Sequence, residues 1–336
     1  MTLEQLKEYT GNEDQLITYH EGYFSDGPAA GVRFAHVSNG GNLSVVILPD
    51  RGMDIYQVRY KGKNMNYICP NGLRSPHEYN PNGDHFLRNW FAGQLSTIGL
   101  QNIGPARYAY GEDQGTHGKI NNTKAENYRY LRTQVDGRPA VTLEGTMREA
   151  RLFGENLSLN RKIEFEYEND MITIHDHITN EGFGERQFVL LYHINFGYPL
   201  LQEGTRIIVD TDRITPRTEE ARKYLDTAMQ IEAPSYPYPE RCYFHSLRRN
   251  SSGMTGYTVF NDSLNIGVHV SFSGEKLPFF CEWKMLGKGE YVLGMEPMNA
   301  ELDGPAAGDK GCKGPVLKPG ESIDYTLEFH YIDRLQ

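Results

Sequence analysis

Leu157-Ser158-Leu159-Asn160-Arg161-Lys162-Ile163-Glu164-Phe165-Glu166-Tyr167 decides the fold class. Leu157, Leu159, Arg161, Ile163, Phe165 and Tyr167 share one parity; Ser158, Asn160, Lys162, Glu164 and Glu166 share the other. A strand turns successive side chains to opposite faces, so this segment has one mainly apolar face and one wet face. Glu168-Asn169-Asp170 turns the chain, and Ile172, Ile174 and Ile178 carry the apolar face back. Residues 157–179 therefore read as an antiparallel hairpin.

The same signal recurs in short runs at 43–48, 56–60, 189–201, 255–261, 266–271, 279–285, 291–296 and 323–331. Turn residues separate them, and long crossover helices are missing, which predicts a mostly antiparallel all-β chain, sandwich or barrel. Two short helices are expected. Thr2 and Gln5 fit a capping box before Leu3 and Leu6, and Ala221, Tyr224, Leu225 and Ala228 share a face within 217–229. Residues 69–90, rich in Pro, Gly, Asn and His, read as a long loop that Trp90 and Phe91 keep ordered. No repeat or linker divides the 336 residues, so one domain is expected over 1–336, with 1–30 as an N-terminal extension.

Composition excludes several classes. A net charge of −10 argues against nucleic acid and anionic membranes as partners. Neither GxGxxG nor GxxxxGK[ST] occurs. The four cysteines, Cys69, Cys242, Cys281 and Cys312, form no CxxC pair and read as reduced structural thiols. Met1 to Glu8 lacks the apolar core of a signal peptide, and no apolar run approaches the ~20 residues of a membrane helix. A cytoplasmic protein is the expectation. The 22 Tyr and 15 Phe suit strand packing first and sugar stacking second.

The polar residues that could do chemistry are few. In Leu190-Leu191-Tyr192-His193-Ile194-Asn195-Phe196-Gly197-Tyr198-Pro199, His193 and Asn195 point the same way from an apolar strand that Gly197 and Pro199 end. Glu296 closes the apolar run Tyr291-Val292-Leu293-Gly294-Met295, and a carboxylate there needs a partner. His117 lies between Thr116 and Gly118; Arg51 and Asp54 flank Gly52; Trp283 and Lys284 share a strand. His175 and His177 have a metal-ligand spacing but fall on the wet face of the hairpin and read as surface residues. No serine nucleophile elbow or Cys/His dyad competes. His193 and Glu296 offer an acid/base pair suited to proton shuttling on a neutral, polyhydroxylated substrate.

Arg51-Gly52-Met53-Asp54-Ile55, the Gly-Leu-x-Asn-x-Gly stretch at 99–104, His117-Gly118, the 191–199 segment and Glu296-Pro297-x-Asn299 occur in that order. This series resembles the aldose 1-epimerase (galactose mutarotase-like) superfamily, in its domain-of-unknown-function branch. The resemblance implies a single large antiparallel β-supersandwich with a sugar cleft and no cofactor. It implies Glu296 as the base at the anomeric hydroxyl and His193 as the acid at the ring oxygen. His117 would match a sugar-binding histidine, Arg51 an early-strand contact, and Asp210 or Asp212 a sugar-hydroxyl aspartate. Asn195, Asp54 and Asn102, with Trp283 and Lys284, complete the expected substrate contacts; Asn195 is the candidate determinant of which sugar fits. The expected partner is a small carbohydrate, an aldose or sugar acid, and a homodimer is compatible with the reading. Two other readings fit the sequence: a non-catalytic sugar-binding module, and a metal-dependent sugar isomerase or lyase using His117, His193 and Glu296.

Overall fold

The 157–179 hairpin is present as Asn156–Glu166 and Met171–Asn180, with Leu159 opposite Ile178, Ile163 opposite Ile174 and Phe165 opposite Ile172. A computed structural model describes residues 1–335. The hairpin lies within an eight-stranded antiparallel sheet ordered Glu126–Val135, Arg138–Ala150, Asn156–Glu166, Met171–Asn180, Ser322–Ile332, Ile266–Ser273, Met254–Asn261 and Arg206–Val209. Its apolar parity is buried. Its wet parity carries His175, bonded to Glu164, and His177, bonded to Asp324, both partly exposed as the alternation requires.

A second sheet of eleven strands packs on the first. It runs Thr18–Tyr23, Arg33–Ser38, Leu43–Leu48, Asp54–Tyr60, Leu95–Leu100, Val189–Phe196, Glu290–Met298, Phe279–Gly287, Arg241–Leu247 and Thr211–Pro216, with Lys63–Asn64 paired to Asp54–Tyr60. One continuous apolar core joins the facing sides. Leu95–Leu100 and Val189–Phe196 are buried at every residue. Their outer face is therefore covered as well, by loops, which explains why they read as apolar runs rather than alternating ones.

The helices are minor. Leu3–Lys7 carries the expected Thr2/Gln5 capping box and packs Leu3 and Leu6 on Leu16. The 217–229 stretch is shorter than expected: α-helix spans only Glu219–Arg222, followed by a 3-10 turn at Leu225–Thr227. Between them Tyr224 leaves helical geometry, with its ring under the Arg241 guanidinium at 3.5 Å. Within residues 1–30, Thr18–Tyr23 joins the sheet as its edge strand. No helix among the described residues is long and apolar enough to cross a membrane.

Arg161, on the apolar parity, is wholly buried between the sheets. It binds Asp176 through Nε (2.8 Å) and Nη2 (2.6 Å), Asp54 through Nη1 (2.9 Å), and Thr97 Oγ1 through Nη2 (2.8 Å). Tyr192 donates to Asp176 at 2.8 Å, and the Thr97 hydroxyl donates to Asp54 at 2.6 Å. Two carboxyl groups share one guanidinium in a dry interior, and burial raises the Asp54 carboxyl to about 7. Thr97 and Tyr192 are cross-strand partners, and each sits one residue from the next pair, Ser96 and His193. The network thus fixes, from behind, the register of Leu95–Leu100 against Val189–Phe196, the strand that carries His193.

Candidate active site

Leu191, His193 and Asn195 point to the outer face of the large sheet. Leu191 pairs with Met298, Ile194 with Met295 and Asn195 with Gly294, a register that sets Glu296 directly opposite His193. Their side chains meet, His193 Nε2 to Glu296 Oε1, at 3.1 Å. Both residues are almost sealed from solvent, at 5% and 3% exposure.

Aromatic rings enclose the pair. The Trp90 ring centroid lies 4.8 Å from that of His193, Trp283 lies at 5.3 Å and His117 at 6.0 Å. Trp90 arrives on the 69–90 loop, which folds over the sheet, and its indole donates to Ser96 Oγ at 3.0 Å. Trp283 projects from the neighbouring strand and donates to Glu240 at 2.7 Å. Phe86, on the same loop as Trp90, packs on His117. His117 Nδ1 accepts from the Gly104 amide at 3.2 Å, which leaves the ring proton on Nε2. The backbone here is tight: a Cβ at Gly118 would lie 2.4 Å from Gly99 O.

Burial dominates the electrostatics. It drives Glu296 well above the usual carboxyl value, assisted by Cys242 and Glu240 and opposed by Arg217. It drives His193 well below 6.5, assisted by His117 and opposed by the Asn195 side chain. His117 falls to about 4, through burial and then the charges of Arg217 and Arg107. The uncharged form of the pair, with one proton on Glu296 and none added to His193, is therefore the resting one. His193 Nδ1 and Asn195 Oδ1 make no hydrogen bond of ordinary geometry, although the Asn195 side chain lies close enough to the imidazole to favour its protonated form. An orphaned buried polar atom costs roughly 1–3 kcal/mol, so these two suit the hydroxyls of a ligand.

Gly294 supplies the room. A Cβ there would stand 2.9 Å from Glu296 Oε1 and 3.1 Å from His193 Cε1. Its backbone is ordinary strand, so its glycine serves the space and not the conformation. Gly294→Ala is expected to push the Glu296 carboxyl aside, lowering turnover about tenfold or more while stability moves by less than about 1 kcal/mol. Parallel kinetics and urea unfolding check this; equal loss in both would make Gly294 a packing residue instead.

The structure brings together His193, Glu296, His117, Asn195 and Trp283. Five other expected contacts, one of them assigned to either Asp210 or Asp212, lie elsewhere. Arg51 is wholly buried and donates to the carbonyls of Asn121, Arg74 and Asn89, so it anchors the loop that carries Trp90. Asp54 belongs to the inter-sheet network. Asn102 ties its own loop through Pro105 O and Gly115 O. Lys284 points inward to the carbonyls of Thr227, Ala228 and Gln230. Asp210 and Asp212 sit on the surface with Arg248. Conversely, Trp90, Phe86, Gly294 and Arg217 went unassigned. Arg217 is held by Asp303 at 2.6 and 2.9 Å, and its charge is felt at Glu296 and His117. Among the described residues, no three His, Cys, Asp or Glu side chains converge as a metal site, so the His117, His193 and Glu296 donor set does not assemble as drawn.

A family model described as "Domain of unknown function (DUF4432)" matches residues 29–331. No curated protein matches by sequence. Among solved structures, a putative aldose 1-epimerase from Klebsiella pneumoniae superposes with a TM-score of 0.87 at 21% identity, covering 96% of this chain and 86% of that one. A galactose mutarotase-like protein from Clostridium acetobutylicum gives 0.65 at 15% identity, covering 93% and 98%. Galactose 1-epimerase from Lactobacillus acidophilus gives 0.59 at 13%, covering 93% and 98%. At these identities the likeness is one of fold, and the fold is the galactose mutarotase-like β-sandwich.

Proposed function

The chain belongs to the DUF4432 family and has a galactose mutarotase-like fold; on that premise we propose that it interconverts the anomers of an aldose or sugar acid by acid/base catalysis at His193 and Glu296. The observation that carries the reading is the 3.1 Å contact between these side chains, sealed beneath two tryptophans. Anomer exchange needs one proton taken from the O1 hydroxyl and one given to the ring oxygen. The ring C1–O5 bond then breaks, the C1 carbonyl turns, and closure reverses both transfers. A pair that holds one proton between its members has the required inventory. The resting proton is on Glu296; passing it to His193 Nε2 gives the carboxylate base and imidazolium acid that the reaction uses. Hydroxyls bonded at His193 Nδ1 and Asn195 Oδ1 offset the cost of that charge separation. Trp90 and Trp283 present faces against which the C–H side of a sugar ring stacks.

Saturation-transfer NMR on a panel of free aldoses and sugar acids tests the reading. At least one sugar should exchange anomers faster with the protein than in buffer. Sugars that bind without any acceleration would support a binding module instead.

The pH profile distinguishes this pair from an ordinary one. Unperturbed groups at 4.5 and 6.5 would hold one proton only between those values and lose activity above 6.5. Here the histidine lies well below 6.5 and the carboxyl well above 4.5. The one-proton state is therefore bounded on the alkaline side by the carboxyl and not by the histidine, and kcat/KM should not fall with an ordinary imidazole as pH rises. A fall centred at 6.5 would contradict the burial argument.

A further inference from the structure

On the same face of the large sheet, a groove of about 610 Å³ runs from Met298, on the strand of Glu296, to Arg213, three strands along. Arg213 of Thr211–Pro216 and Arg249, just past Arg241–Leu247, flank it; Phe244, Phe279 and Met298 form its apolar floor. It adjoins the acid/base pair. Met298 stands two residues after Glu296 on one strand face, and groove residue Asp303 grips Arg217, whose charge is felt at Glu296. Neighbouring strands are about 4.8 Å apart, so Arg213 and Glu296 are on strands roughly 14 Å apart. A single pyranose does not bridge that span; a sugar of two or three residues does.

The charges are uneven. Neither Arg213 nor Arg249 has an acidic partner among the described residues, because Asp210 and Asp212 nearby are both taken by Arg248. Arg217 neutralises Asp303. Within the groove lining, Glu301 is the one carboxylate left to the two guanidiniums, so they outnumber it by one there, while the Asp210–Arg248–Asp212 cluster outside the lining carries one negative charge of its own. One carboxylate matches that excess, and a guanidinium can bind it in a bidentate fork.

We propose that this groove is a subsite for the far end of the substrate, and that it selects a reducing oligosaccharide whose distal residue is a uronic acid. The proposal rests on the anomer-exchanging reading of His193 and Glu296. The reducing sugar sits at the pair, the chain runs over Phe244 and Phe279, and the carboxylate meets Arg213 and Arg249.

The probes are glucuronosyl-β-1,4-glucose and cellobiose, which differ by one carboxylate. Each is followed by anomer exchange and by titration calorimetry. The wild-type protein should prefer the acidic disaccharide by about tenfold or more in kcat/KM and in Kd, as expected for charge-assisted hydrogen bonds worth ~1.5–3 kcal/mol. In the double variant Arg213→Ala/Arg249→Ala that ratio should collapse toward one. A wild-type ratio within twofold, failure of both sugars to bind, or a ratio that survives the double variant overturns the subsite. Calorimetry separates the two readings: selective binding of the acidic disaccharide without faster exchange retains the groove and rejects the anomerase.

Discussion

Glu296→Gln should lower anomer exchange about a thousandfold, and His193→Ala should do the same, which is the scale general acid/base groups contribute. Glutamine keeps the size of Glu296 and its contact with His193 Nε2, so the sheet register and the fold should persist. What disappears is the transferable proton. Because His193 and Glu296 are only 5% and 3% exposed before any sugar covers them, a solvent base has little access to substitute for the carboxyl. Far-UV circular dichroism and unfolding midpoints should match the wild type. A variant that keeps even a tenth of the rate would remove Glu296 from the chemistry.

Arg161→Leu is the variant expected to unfold the protein most readily. It strands Asp54 and Asp176 in a dry interior, and breaking a buried ion pair from one side costs about 3–5 kcal/mol. Urea unfolding measures it. The exposed pair of Arg129 with Glu144 is the control, where Arg129→Leu should cost less than about 1 kcal/mol. The deficit should also depend on pH. The Asp54 carboxyl, at about 7 when folded against 3.8 ordinarily, stabilises the fold below 3.8 and loses that contribution as pH rises through about 7. Arg161 is what holds it down to that value, so its removal should hurt more at pH 8 than at pH 5. A pH-independent loss of under 1 kcal/mol would mean that the network is dispensable.

The alternation at 157–167 was enough to read the hairpin, and with it the sheet. The acid/base pair was legible for a related reason: a histidine and a glutamate each interrupt an apolar run, and strands place such residues on a defined face. Which residues stand opposite each other was not legible, since register depends on pairing between segments about a hundred residues apart. The same alternation rule separates Trp283 from Lys284. Adjacent strand residues face opposite ways, so only one of them can reach the site; Trp283 does, and Lys284 points to the carbonyls behind. Arg51 and Asp54 resembled binding residues because buried structural charges and ligand-binding charges look alike in a sequence. Only their partners, backbone carbonyls for one and Arg161 for the other, tell them apart. Phe86 lies in a short 3-10 turn, Gly83–Arg88, and Trp90 just after it, and neither stretch has a hydrophobic periodicity long enough to say which way a side chain points. Gly294 carries its information in the side chain it lacks.

The pair is held to act as one unit, and a double-variant comparison measures that most directly. Anomer exchange by saturation-transfer NMR should be compared for the wild type, His193→Ala, Glu296→Gln and the variant with both. If one proton passes between the two side chains, removing either stops the transfer, and the double variant should be no slower than the single ones. Losses that multiply, or single variants that exchange anomers at the wild-type rate, would contradict a shared-proton pair at His193 and Glu296.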